Sequence, residues 1–403
     1  MKTKSATMRE MSLGRITTKV KVKAAAAAKN LVMYVLCPLS ICAAVCSCSG
    51  STDTDVIVLD EDVKTAAVSI KGDTVCTFPD TVFLWRAWMA DGNHAVCETR
   101  TSDWSGLSRD QWAFEVYDTR TMERTARFLH SGNGPFEVLS PSSYVAGDTL
   151  FVLEGSKGKL YSIPLSEAAE GKGIQEFSFK FHTMKAVTYK GQILSLNPYW
   201  FESREVGVFN GEPKLFFSDG DLIPYDDSKV SSVNCFQGHL LTNPEKGTIV
   251  YVENSYPLVE FYNDSLRLTR SVTGPDKFKP EYLNAHGMLF FAKLYGRPYG
   301  PVCSDDSYIY LRYDDNLSSE PILSAELIDG NVAISFNDGD TEEGAAKDVL
   351  IFVLDWEGNM QGSYRLEGLA VCNAISSGGN GILYASTEDP DTGQLTILRY
   401  KLF

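Results

Sequence analysis

Gly147-Asp148-Thr149-Leu150-Phe151-Val152 reads as a tight turn running straight into a short apolar strand. Gly and Asp accept the positive φ that a hairpin turn demands, and Leu, Phe and Val suit a pleated, buried surface. The unit recurs along the chain. Asp91-Gly92-Asn93-His94-Ala95-Val96 and Lys190-Gly191-Gln192-Ile193-Leu194 carry it. So do Gln237-Gly238-His239-Leu240-Leu241, Asp305-Asp306-Ser307-Tyr308-Ile309-Tyr310 and Gly379-Asn380-Gly381-Ile382-Leu383-Tyr384, which makes six copies. A further strand pair with its own turn follows each copy. Trp112 to Val116 goes with Arg127 to Leu129, and Ile249 to Val252 with Leu258 to Tyr262. Val349 to Leu354 goes with Ser363 to Leu366 across Trp356-Glu357-Gly358-Asn359.

Four short strands repeated six times predict an all-β chain: a six-bladed β-propeller with four-stranded antiparallel blades. The last segment, Leu395-Thr396-Ile397-Leu398-Arg399-Tyr400, stops one strand short. The missing outer strand is expected from the N-terminal side, at Thr65-Ala66-Ala67-Val68-Ser69-Ile70. Pairing it with the last blade closes the ring and hides two sheet edges. The propeller is expected over residues 63–403, with Leu317 to Lys347 as an acidic, Gly-rich insertion. A β-sandwich, the competing all-β architecture, explains neither the six copies nor so long a single domain.

The first 47 residues follow other rules. They hold eight basic residues and one acid, then an apolar run from Leu31 to Val45 that is too short for a stable membrane span. A basic stretch before a short apolar one is a secretion signal. Val45-Cys46-Ser47-Cys48 resembles a bacterial lipobox, with small residues before the Cys whose thiol takes the lipid. Residues 1–47 are therefore expected to be a lipoprotein signal peptide and Cys48 the lipidated residue; an uncleaved anchor is the alternative. Residues 48–62 read as a flexible tether. Its early acids, Asp53 and Asp55, suit a cell-envelope lipoprotein of the outer membrane, periplasmic or surface-exposed. The membrane is then a partner through the N-terminal lipid alone.

The whole chain carries 37 basic and 52 acidic residues, a net charge of −15. Without the first 47 residues the balance is 29 to 51, or −22. Such a surface disfavours nucleic acid, whose phosphates need clustered Lys and Arg. Hydrophobic residues at 44% and charged residues at 22% are ordinary for a folded domain.

No cofactor is expected. Gly132-Asn133-Gly134 lacks the third Gly and the following helix of a dinucleotide loop. Cys76, Cys97, Cys235, Cys303 and Cys372 are scattered without zinc spacing, as small buried hydrophobes are. The histidines, at 94, 130, 182, 239 and 286, are isolated in sequence, although a propeller axis can gather such residues. Asp219-Gly220-Asp221, Asp338-Gly339-Asp340 and Asp389-Pro390-Asp391 read as solvated turns. None matches a twelve-residue calcium loop, and the 338–343 loop comes nearest to a calcium ligand set.

Phe128-Leu129-His130-Ser131-Gly132-Asn133-Gly134-Pro135-Phe136-Glu137-Val138 is similar to a signature of TolB-like six-bladed propeller lipoproteins of Gram-negative bacteria. That family carries Gly-x-Gly-Pro-Gly-Glu-Phe at the start of its second blade. Gly132, Gly134, Pro135 and Glu137 match; Phe136 replaces the family's third Gly, and Val138 its Phe. The resemblance implies a propeller fold in the envelope. It brings no common activity, and such propellers often act by protein or ligand binding.

The loops after the second strand of each blade share one face of a propeller. Trp104 and Arg109 fall in the first such loop, and Tyr199, Trp200 and Arg204 in the third. His286, Arg297 and Tyr299 lead into the fifth blade. Aromatic rings flanked by Arg suit stacking on sugars or gripping a peptide. Packing between blades is the other use for those rings. The sequence thus points to a non-enzymatic binding or interaction module for a glycan, peptide or partner protein. The alternative is a metal-assisted hydrolase or lyase at the central channel, which needs convergent His and carboxylates.

Feeding cells a palmitate analogue is expected to label the wild-type chain and not Cys48→Ser. Equal labelling of both would place the lipid elsewhere.

Overall fold

The computed structural model describes residues 55–403 apart from 80–83, 100–110, 184, 197–198, 201–207, 210–214, 218–229, 232–234, 236, 279, 286–287, 316–319, 337–348, 370 and 390. Strands dominate. Helix is limited to Asp62–Thr65 and Leu165–Ala168, with one 3-10 turn at Gly155–Lys157. No helix among the described residues is long and apolar enough to cross a membrane.

Among the described residues there are eight sheets, and six of them succeed one another along the chain. Sheet I runs Leu84–Met89, His94–Thr99, Trp112–Asp118 and Arg124–Ser131, with Glu137–Val138 added in parallel. Sheet II is Ser142–Ala146, Thr149–Glu154, Lys159–Pro164 and Gln175–Ser178. Sheet III holds Lys185–Tyr189, Gln192–Leu196 and Leu215–Phe217. Sheet IV holds His239–Asn243, Thr248–Val252, Leu258–Asn263 and Leu268–Thr273. Sheet V is Tyr299–Ser304, Tyr308–Tyr313, Val349–Asp355 and Met360–Glu367, and sheet VI is Cys372–Gly379, Ile382–Glu388 and Leu395–Lys401. In each the first strand in sequence is an edge strand.

The N-terminal stretch supplies an outermost strand to three of these sheets. Asp55–Val58 lies parallel to Leu268–Thr273 in sheet IV, so the chain joins the fold within the stretch that its polarity marks as a tether. Val68–Lys71 lies parallel to Tyr364–Glu367 in sheet V. Asp73–Thr77 then pairs antiparallel with Thr396–Arg399 in sheet VI. The last sheet is thus completed from the N-terminal side, but by the strand after the expected Thr65–Ile70. Burial explains the difference. Val68 is 57% exposed, whereas Cys76 and Phe78 are buried against Leu395 and Ile397, so the later apolar pair has more to gain there. Gly72 makes the step between the two sheets. A Cβ at Gly72 would stand 2.7 Å from the Tyr400 ring.

The sheets are not uniformly four-stranded and antiparallel. Sheet III has three described strands, and sheets I, IV and V have five with a parallel edge. Gly238 is a second correction. Five of the six turn copies join the first strand of a sheet to its second, but Gly238 precedes a first strand, and residues 244–247 form that sheet's turn. Gly238 is required for another reason: a Cβ would collide with the Val252 carbonyl and the Tyr251 ring.

Within the expected insertion, Leu323–Ile328 and Asn331–Phe336 form a hairpin that pairs with Met288–Leu294 in a mixed side sheet. The acidic 338–343 loop lies outside the described residues, as does the Asp219–Asp221 pair. Asp389 spends its carboxylate on the backbone N–H groups of Asp391 and Thr392, which is turn chemistry.

Apolar side chains fill the spaces between neighbouring sheets. Phe114, Phe128, Val145, Leu150 and Tyr161 pack sheet I on sheet II. A larger cluster joins sheets II to V, and Tyr310, Ile351, Leu383 and Tyr400 join V to VI. Phe78, Leu84, Met89 and Ile397 pack VI on I, where the Met89 N–H also donates to Ser376 Oγ at 3.1 Å. All five described cysteines are buried free thiols, and burial pushes Cys76 up to about 11.

The Gly132-to-Glu137 loop folds on itself. The Gly134 N–H donates to Glu137 Oε2 at 2.5 Å, and a Cβ at Gly132 would overlap that carboxylate. Phe136, where the resembling family has Gly, keeps the left-handed backbone that favours Gly, with φ +55°. The loop is a self-capped turn, and its glycines serve the Glu137 side chain.

Phe78 is fully buried, meets Tyr117 edge-on with ring centroids 5.5 Å apart, and its N–H donates to the Leu395 carbonyl at 2.8 Å. Phe78→Ala is expected to destabilise the full-length chain by about 3–5 kcal/mol in urea unfolding. An unmoved midpoint would show that the N-terminal strand does not hold sheets VI and I together.

Candidate functional site

The six first strands converge. Each contributes to one cavity of about 330 Å³, within the usual size for a small-molecule site. Sheet I supplies Arg86 and Trp88, two positions apart and so on one face of the strand. Sheet II supplies Ser143 and Tyr144, sheet III Lys185, and sheet IV His239. Sheet V supplies Tyr299 to Val302, and sheet VI Asn373 to Ile375. Asn254, Arg297, Arg312 and Asp314 complete the wall at the same end. Towards the other ends of the first strands sheets II and V meet directly, where the Gly147 N–H donates to Ser304 Oγ at 3.2 Å.

Local irregularity aims one of these groups. In sheet V the register between first and second strands slips from Tyr299–Tyr313 to Val302–Leu311, a bulge at Gly300 and Pro301 opposite Arg312. A Cβ at Gly300 would collide with Arg312 Nη1. The missing Cβ is therefore what lets the guanidinium lie across the first strand. Arg312 Nε is buried without a hydrogen-bond partner among the described residues.

The wall is basic although the chain is acidic. Arg86 Nη1 donates to the Ser143 carbonyl at 3.1 Å and stands 3.7 Å from Glu98 Oε2. Lys185 Nζ sits 4.0 Å from the centroid of the Tyr144 ring, a cation–π contact. Burial pushes the Lys185 ammonium down to about 7; the nearby Arg86 adds to this and Glu98 partly offsets it. Burial, with Lys185 and Arg86 close by, holds the His239 imidazolium far below its usual range, so His239 is neutral near pH 7. Burial raises the Glu98 carboxyl, opposed by Arg86. No hydrogen bond or ion pair to the side chain of Lys185, Arg297 or Arg312 is found among the described residues.

Of the residues singled out in the sequence, Arg297 and Tyr299 line this cavity. Arg297 is exposed at its mouth, while Tyr299 is 2% exposed and packs edge-on against Tyr313, 5.3 Å between centroids. The backbone of Tyr199–Trp200 pairs with Phe181–His182. Trp104, Arg109, Arg204 and His286 lie outside the described residues. Cys48 does too. Arg86, Lys185 and Arg312 escaped notice because each is a lone cation inside an apolar run, as in Leu84-Trp85-Arg86-Ala87-Trp88 and Tyr308-Ile309-Tyr310-Leu311-Arg312-Tyr313. That interruption is the signal a reader could have used. Among the described residues, no three His, Cys, Asp or Glu side chains gather as a metal-ligand set.

No protein-family model and no curated protein matches this chain. Solved structures do. One member of the DUF4221 family from Bacteroides vulgatus is 13% identical, covering 83% of this chain and 96% of that one, with a TM-score of 0.44. Streptogramin B lyase is 9% identical over 82% of this chain and 97% of its own, with a TM-score of 0.36. The β-propeller domain of Cps50 from Myceliophteria thermophila is 11% identical over 81% and 99%, with a TM-score of 0.35.

Proposed function

We propose that this chain is a lipid-anchored, six-bladed, TolB-like β-propeller of the bacterial outer membrane that binds a ligand in its axial cavity without transforming it. One observation carries the reading: six successive sheets each turn their first strand onto the same cavity. Sheets I to VI are then the blades. The pairing of Asp73–Thr77 with the last sheet, together with the packing of sheet VI on sheet I, supports ring closure. The Gly132-to-Glu137 motif supports the TolB-like affinity, and the lipobox at Cys48 supports the envelope location.

The groups present support binding. The wall offers Arg and Asn donors, aromatic faces and a neutral imidazole. These orient a polar ligand. The cavity holds a small solute, or the terminal unit of a glycan or peptide whose remainder continues across the loop face.

A thermal-shift screen of small solutes on the full-length chain tests this. A solute present at about 100 times its Kd adds about 2.7 kcal/mol of stability, which shifts a melting curve by several degrees. Asn254→Trp places an indole in the cavity, and Asn254 Oδ1 has no hydrogen-bond partner to lose among the described residues. At least one solute is expected to stabilise the wild type and not Asn254→Trp. Equal stabilisation of both chains would remove the axial cavity as the site.

A further inference from the structure

We propose that the ligand taken by this cavity is an oxyanion, a small molecule presenting a carboxylate, sulfate or phosphate group to Arg312 and Lys185. The inference rests on the axial-cavity reading and adds the chemistry of its ligand. It stands on geometry. Arg86, Lys185, Arg297 and Arg312 face one cavity, against Asp314 as the only carboxylate on its described wall. Arg86 already has Ser143 and Glu98. The side chains of the other three have no hydrogen-bonded or ion-paired partner among the described residues, and Arg312 Nε is buried.

A buried cation without a partner is costly, because water's solvation is lost and nothing replaces it. Arg312 as a residue is half-buried, with its Nε shielded from water. The Gly300 bulge makes room for the guanidinium at the cavity wall. A planar guanidinium offers two parallel N–H groups that match the two oxygens of a carboxylate, or two of a sulfate or phosphate. Lys185 adds a compact charge, held over the Tyr144 ring. A neutral ligand would leave these charges unbalanced, and a cation would add to the repulsion.

Binding is coupled to a proton. The groups around Lys185 Nζ are Arg86, Glu98 and His239, with Arg297, Arg312 and Asp314 on the same cavity wall. In the empty cavity Lys185 titrates near 7. An anion beside it favours the ammonium and raises that value. Affinity is therefore complete below pH 7 and is lost as pH rises through the higher, anion-bound value.

The test is titration calorimetry on the full-length chain with galacturonate, N-acetylneuraminate, inorganic sulfate and inorganic phosphate. Galactose and N-acetylglucosamine are the neutral counterparts. At least one oxyanion is expected to bind and the neutral sugars not. The acidic sugars against the inorganic ions tell a carboxylate ligand from a free oxyanion. For a probe that does not itself titrate, affinity should fall between pH 6 and 9, with proton uptake visible as a buffer-dependent heat. Arg312→Gln should weaken binding about tenfold or more. Lys185→Met should weaken it at pH 6 and abolish the pH slope, and Gly300→Ala should weaken it by displacing the guanidinium. Melting curves show that each variant is folded. Unaltered oxyanion binding in both Arg312→Gln and Lys185→Met would overturn the assignment. So would a neutral solute that binds and is excluded by Asn254→Trp while no oxyanion binds, although the cavity would then remain the site. Absence of binding by every probe and by every solute of the wider screen would overturn both readings.

Discussion

An inner edge strand has one free side and nowhere to hide it. In sheets I to VI that strand is hydrogen-bonded to its own sheet on one side only, and each lends residues to one cavity. Exposed edges are normally blunted or covered. Here they are protected by facing one another, and the space left between them is the cavity. The wedge between each neighbouring pair is filled with Phe, Tyr, Val, Ile and Leu. Overfilling or emptying one wedge would tilt a first strand and move the groups it carries into the axis.

The N-terminal stretch answers the opposite problem, the outer edges. Asp55–Val58, Val68–Lys71 and Asp73–Thr77 each cover the outermost strand of a different sheet. The first two lie parallel, with Val56, Val58 and Val68 more than half exposed, so they contribute mainly backbone hydrogen bonds. The third is antiparallel and brings Cys76, with Phe78 just beyond it, into the core between the last sheet and the first. Arg270 fastens the first of these strands through Asp55, and Lys64 reaches Asp276 between the first two. These pairs are partly exposed and individually weak. The ladders and the Phe78 side chain carry the larger share.

The repeated hairpin was legible because its determinants are local. A turn Gly or Asp and the alternating apolar residues after it act over a few positions, and the structure places hairpins at Gly147, Lys190-Gly191, Asp305 and Gly379 to Gly381 as those residues suggest. Gly238 misled for a physical reason. A glycine required by the close approach of Tyr251 and Val252 looks, in sequence, like a glycine required by a turn. The strand that completes the last sheet lies one further along than Thr65–Ile70 because burial of Cys76 and Phe78 decides the pairing. The cavity was not legible as a site. Arg86, Lys185, His239 and Arg312 come from four sheets and share no spacing, so only the convergence of first strands brings them together. Arg297 and Tyr299, chosen from the sequence as loop-face residues, reach the same cavity because they stand at the start of a first strand.

Buried charge elsewhere in the chain shows what this fold does when a charge serves structure alone. Glu154 ends the second strand of sheet II with no exposed surface. Its carboxylate accepts from the N–H groups of Leu139 and Ser140 and from Ser156 Oγ. Glu253 stands at the corresponding place in sheet IV, just past the second strand, and accepts from Tyr251 Oη, the Ser255 N–H and Ser255 Oγ. Each buried acid is surrounded until its lone pairs are used, as the cost of an unpaired charge demands. Arg312 occupies the same station in sheet V, one residue from the end of the second strand, and is treated differently. Its Nε has no partner among the described residues, and the strand opposite has a glycine and a bulge where the guanidinium reaches the cavity. Glu98, 3.7 Å from Arg86, likewise keeps a buried Oε2 without a hydrogen-bond partner among the described residues. An Arg312 left open among the described residues, beside Lys185, suits the proposed site, whose last partner would come from solution.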